Sequence, residues 1–233
     1  MRPEHAAAAL AAILCPGGLA QDPTFDDSIS LLGSCEYVAE DWVPTKGGVV
    51  PDPRMAKGGL RVLAEEQGGF SVIQYDRSFA PASGMSAAAR FRVRYDHPQD
   101  IQTMVGFLSD VGGNSPFVTQ PENGAYFLQK PDGLPLAGRL LAVTVRDGEE
   151  ETELLVTGIP EGARYDLVIE IAGTDEVTFY WKPSGESSWS SHEDDNVPTA
   201  DPELRFSAAA GEATTNGFVE LAIFEFEYGP TSE

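Results

Sequence analysis

The sequence predicts an all-β, antiparallel sandwich, and three observations carry that prediction. From residue 59 onward, apolar residues alternate with polar ones in short runs, as half-buried strands require. Turn signals separate those runs every ~8–12 residues. Nothing between Gly59 and Tyr228 leaves room for the crossover helices that parallel strands need. Glycine (24 residues) and proline (17) are plentiful, as many short turns demand.

The elements follow in chain order. Residues 5–14 form the one helix candidate, because alanine and leucine favour helix and Pro16-Gly17-Gly18 ends it. Arg2, the apolar run to Leu14 and Gly18-Leu19-Ala20 give the segment some look of a signal peptide. The alanine content, Glu4 and His5 favour a helical arm that docks on a partner, with Leu10, Ile13 and Leu14 as its apolar contacts. Residues 1–58 are therefore expected as helix and extended arm, and 59–233 as the sandwich. Short extended pieces are expected near Cys35–Val38 and Val49–Val50. Cys15 and Cys35 are compatible with one bond or with two thiols.

Leu60–Ala64 and Phe70–Tyr75 flank Gly68-Gly69 and read as a hairpin. In Ser86–Tyr95, Phe91, Val93 and Tyr95 share one face, and Arg90, Arg92 and Arg94 the other. Thr103–Leu108 and Ala125–Gln129 are apolar strands. Leu141, Val143 and Val145 lead into Asp147-Gly148, a dipeptide suited to a tight hairpin turn, and Thr152–Thr157 returns. Tyr165, Leu167, Ile169 and Ile171 point one way, as do Val177, Phe179 and Trp181 after the loop at Gly173. Leu204–Ala208 and Phe218–Tyr228 complete the set.

The order of Ala87–Val93, Met104–Asp110, Asn123–Leu128, Tyr165–Ile171, Glu176–Trp181, Val197-Pro198 and the closing strand resembles the concanavalin-like lectin/glucanase jelly roll. It is most similar to the versions found in bacteriophage virion proteins. Tyr165 stands where that group commonly has tryptophan, and Trp181–Gly185 replaces an Asp-Gly turn. The resemblance implies a capsid decoration (cement) or head-fibre protein. Its partners would be the major capsid or other virion proteins and further copies of itself, on the head surface before the tail. The alternative it implies is a carbohydrate-binding module that takes a surface glycan.

Charge narrows the partners. With 37 acidic and 15 basic residues the formal net charge is −22, a field that repels nucleic acid and anionic membranes. No run reaches the ~18–20 apolar residues that span a bilayer.

Catalytic sets are not evident, and a non-enzyme is expected. Retaining and inverting glycosidases need paired carboxylates, whereas Asp166 and Glu170 would lie ~13 Å apart on one strand face. Glu225 and Glu227 read as an outer strand face that pairs with the arginine row. His97, in a proline-bounded loop, has no evident partner for general-base work. No cofactor is expected. The oxygen-rich His192–Asn196 stretch has ligands that suit Ca²⁺ but lacks the alternating spacing and glycine of a dedicated loop, so it reads as a solvated acidic loop. Trp189 is the candidate exposed aromatic for a sugar ring or a protein interface. A sugar-binding module would show such a platform on its concave sheet.

Overall fold

The computed structural model describes residues 29–31, 42–46, 60–64, 69–110, 114–131, 138–211 and 214–230. The helix candidate, with Leu10, Ile13 and Leu14, and both cysteines lie outside the described residues. So do the expected extended pieces at Cys35–Val38 and Val49–Val50.

Alternation in the sequence becomes fourteen strands among the described residues. They are β1 (Ile29–Leu31), β2 (Trp42–Lys46), β3 (Leu60–Ala64), β4 (Ser71–Phe79), β5 (Met85–Tyr95), β6 (Gln102–Leu108) and β7 (Gly124–Pro131). β8 (Gly138–Arg146), β9 (Glu149–Ile159), β10 (Arg164–Ala172), β11 (Glu176–Pro183), β12 (Ser190–Asp194), β13 (Leu204–Gly211) and β14 (Gly217–Pro230) follow. Sheet I has the order β1-β14-β5-β10-β11-β12, with β3 also on β14; sheet II has the order β2-β4-β13-β6-β7-β8-β9. Every strand pair is antiparallel.

The main core lies between the sheets. Phe91, Leu167, Ile169 and Phe179 of sheet I meet Phe107, Phe127 and Phe206 of sheet II. The rings interlock edge to face: Phe91–Phe206 at 5.2 Å, Phe127–Phe179 at 5.3 Å and Phe79–Phe107 at 4.7 Å between centroids. Truncating one such phenylalanine to alanine costs about 3–5 kcal/mol.

A second apolar layer covers the other face of sheet II. Met104, Leu108, Tyr126, Leu141, Val143 and Val145 are buried there, with Phe70 and Phe117 packed against them. This explains the unbroken apolar run Leu140–Val143 in β8, a strand buried on both faces. Gly106 is required by the same layer. It has φ +155°, and a Cβ would sit 2.5 Å from the Ala125 carbonyl oxygen. At the sheet's margin β9 is different: Glu149 to Leu154 are all exposed, and no strand among the described residues pairs its far side.

Several expectations need correction. Leu60–Ala64 and Phe70–Tyr75 do not pair with each other; β3 joins β14 in sheet I and β4 joins β13 in sheet II. The chain changes sheet between β3 and β4, which strand periodicity cannot register. The stretch expected as a loop at His192–Asn196 is strand as far as Asp194, added to the edge of sheet I through Val177↔Asp194. The arginine row does neighbour the last strand, with Arg90 in register with Glu225. Arg92 also pairs with Asp166, and Arg94 with Glu220 at 3.1 Å. The segment expected as an arm supplies β1 and β2, which pair with β14 and β4.

Candidate functional site

Asp147 and Gly148, both at positive φ (+52° and +81°), make the two-residue turn between β8 and β9. The turn brings Glu149 opposite Arg146 and Glu151 opposite Thr144. Across the gap between sheets, β12 ends at Asp194. Thr144 Oγ1 donates to Asp194 Oδ2 at 2.8 Å, and Asn196 N–H donates to Asp194 Oδ1 at 2.8 Å. Asn196 Nδ2 reaches Glu149 O at 3.3 Å. These bonds tie the free edge of sheet I to the β8–β9 hairpin of sheet II.

Between these edges lies an open groove of about 380 Å³. Its walls are Glu151, Thr152 and Glu153 from β9, Asp175 and Glu176 from the β10–β11 turn, and His192 to Asp195. His192 stacks on Phe179 at 6.5 Å between centroids, which fixes its ring at the groove margin.

Beside the groove, Asn123 organises the loops. Its backbone exchanges bonds with Ser109, through Ser109 N–H to Asn123 O (2.9 Å) and Asn123 N–H to Ser109 Oγ (3.0 Å). Its Oδ1 accepts from Asp147 N–H (3.1 Å) and Thr199 N–H (3.0 Å), and its Nδ2 donates to Asp201 O (3.1 Å). The loops satisfy one another through this fully buried amide. The carboxylates of the groove are left to face outward.

Glu151, Asp194 and Asp195 each place a carboxylate oxygen within 4.8 Å of the others. All-oxygen donors suit a hard cation such as Ca²⁺, which takes roughly six to eight oxygens. Three carboxylates would supply part of that shell and water the remainder, so the residues fit the ion. The stretch His192–Asn196, expected as a solvated acidic loop, thus joins acids from β9 in one groove. Separated in sequence by more than forty residues, Glu151 and Asp194 carry no shared motif. The run of glutamates beside an Asp-Gly turn was the available signal. The arrangement falls short of a glycosidase pair. Both oxygens of Asp194 are engaged, and Glu151 and Asp195 stand exposed, without the apolar enclosure that sets an acid apart from its partner.

Trp189 stands far from that groove's acids in the fold. It is half-buried at the outer side of sheet I, with the Lys182 ammonium 4.7 Å above its ring. Lys182 is itself in register with Asp166, the partner of Arg92, so a charged row runs across this face. The outer face of sheet II is the apolar layer around Tyr126 and Val143.

No protein-family model matches the chain, and no curated protein matches it in sequence. Solved structures do. The VIP36 exoplasmic/lumenal domain, in a Ca²⁺/Man3GlcNAc-bound form, aligns with a TM-score of 0.55 at 11% identity over 84% of this chain and 86% of its own. The potassium-bound carbohydrate recognition domain of Emp46p aligns at 0.54 and 11%, over 90% and 100%. Basic winged bean lectin, solved with Tn-antigen, aligns at 0.56 and 9%, over 83% and 94%. Two seven-stranded antiparallel sheets and these alignments give the chain the concanavalin-like jelly-roll fold of the L-type lectins.

Proposed function

We propose that the chain is a non-catalytic carbohydrate-binding module whose ligand site is the carboxylate groove between β9 and β12. The observation that carries this reading is an open, carboxylate-lined groove on a lectin-like fold whose sheet II is apolar and buried on its outer face. Carboxylates such as Glu151, Asp175 and Asp195 accept hydrogen bonds from sugar hydroxyls, and charged acceptors make the stronger bonds. Ca²⁺ held by Glu151, Asp194 and Asp195 would fix those carboxylates and offset their mutual repulsion. Several of the lectins of similar fold were solved with glycan or metal bound, which supports the class of ligand and leaves the particular sugar open.

A glycan array, followed by calorimetry with and without EDTA, tests this. Binding to a defined glycan that falls about ten-fold or more in Asp194→Asn or Glu151→Gln is the expected result. Absence of binding across the array, or binding indifferent to both substitutions, rejects the site.

The particle-borne structural role is the second reading. What favours it is the closed outer face of sheet II, a body built to be solid, together with the expected docking helix bearing Leu10, Ile13 and Leu14. Multiple copies on a shell would gain avidity. Deleting residues 1–22 should then abolish incorporation into particles; unchanged incorporation argues against the arm.

A further inference from the structure

At the end of the sandwich away from the groove, β5 runs out into Asp96 and His97, and β9 into the Pro160–Ala163 turn that precedes β10. Two backbone bonds clamp that turn to β5: Tyr95 N–H donates to Ala163 O (3.0 Å) and Gly162 N–H to Tyr95 O (2.8 Å). The facing loop is held as firmly. Asp96 N–H donates to Phe218 O (3.2 Å), Asp100 N–H to His97 O (2.8 Å), and Gln129 Nε2 to Pro98 O (2.7 Å).

This framework gathers three ligand-type side chains from two loops. An imidazole nitrogen of His97 and a carboxylate oxygen each of Asp96 and Glu161 lie within 4.8 Å of one another. Asp96 is 14% exposed and His97 36%, so the cluster has a protein side and an open side where water can enter. The nearby cation Arg94 is engaged by β14, with Nη1 on Glu220 Oε1 and its guanidinium over the Phe218 ring. His97 itself holds φ +47°, a left-handed conformation that histidine, like asparagine and aspartate, enters more readily than most side chains.

We propose that Asp96, His97 and Glu161 form a binding site for a divalent transition ion of the zinc class, which clips the β5–β6 loop to the β9–β10 turn. Three protein ligands with an open position for water match a four-coordinate zinc site. The imidazole donor separates this site from the trio Glu151, Asp194 and Asp195, whose all-oxygen donors suit Ca²⁺. The proposal stands apart from the carbohydrate reading and does not need it.

The test uses the full chain, stripped with EDTA and titrated with Zn²⁺ by calorimetry and thermal unfolding. One strong equivalent should bind, raise the melting temperature and shift the His97 imidazole resonances. Glu161→Gln and His97→Asn should each weaken that binding about ten-fold or more, while Glu151→Gln in the groove leaves it unchanged. His97→Asn doubles as a folding control, because asparagine tolerates the left-handed backbone; without metal it should melt no lower than the parent chain. Absence of zinc binding overturns the proposal, as does binding that survives either substitution or that is lost with Glu151→Gln.

Discussion

At the groove end of the sandwich one buried amide, Asn123, ties the β6–β7, β8–β9 and β12–β13 connections together. At the opposite end that work is divided. Gln129 takes Pro98 O and Thr103 Oγ1, and backbone bonds clamp the Pro160–Ala163 turn to Tyr95. The hub engages no carboxylate side chain, so Glu151, Asp175 and Asp195 face the groove while Asp194 is held by Thr144 and Asn196. Each end still holds one non-glycine residue in the left-handed region, Asp147 beside the groove and His97 opposite. The difference teaches that polar burial concentrated in one side chain can release its neighbours for binding.

The comparison breaks first at Asn123. Asn123→Ala strands two backbone N–H groups and a carbonyl, and should cost about 3 kcal/mol in urea unfolding. Gln129→Ala should cost less, about 2 kcal/mol, since backbone bonds still hold its loop. A larger loss from Gln129→Ala than from Asn123→Ala would reverse the roles assigned to the two ends.

Alkali sharpens the contrast next. Burial, and then the neighbouring Tyr165 phenol, push the Tyr95 hydroxyl far above its ordinary value near 10. The folded chain keeps this phenol protonated while the unfolded chain ionises it. Through this group stability is therefore intact below pH ~10 and falls by about 1.4 kcal/mol per pH unit above it, and the phenols of Tyr126 and Tyr165, also raised by burial, steepen the fall. Urea midpoints at pH 9 and pH 11 should differ in that sense, and Tyr95→Phe should lessen the slope. Smaller again, Thr144→Val removes the hydroxyl that holds Asp194 and should cost about 1 kcal/mol. His97→Asn, in the absence of metal, should stabilise by a few tenths of a kcal/mol up to about 1 kcal/mol by easing the backbone, read as a small rise in melting temperature.

Much of the sandwich was legible because period-two burial is local. Tyr165, Leu167, Ile169 and Ile171 face the core as their spacing indicates, and Asp147-Gly148 forms the turn its dipeptide favours. What periodicity misses is which sheet a strand joins, so β3 and β4 were read as partners although they belong to different sheets. The arginine row had visible alternation, but which acids serve Arg92 and Arg94, Asp166 of β10 and Glu220 of β14, follows from strand order and not from spacing. The groove was half visible at His192–Asn196; Glu151 and Asp175 reach it only through tertiary folding. Likewise His97 meets Glu161 across more than sixty residues of chain, beyond any local motif. Trp189 looked available because its flanks are polar, and the lysine over its ring could not be read from spacing.

The exposed margin of sheet II has a consequence for assembly. Among the described residues no strand pairs the far side of β9, and an open strand edge is where a strand from another molecule would add. Glu149, Glu150, Glu151 and Glu153 line that edge, so a second copy approaching in antiparallel register would set carboxylate against carboxylate. The glutamates act as gatekeepers against sheet-to-sheet polymerisation, and the same charges would welcome a lysine-rich strand where they refuse a sister molecule.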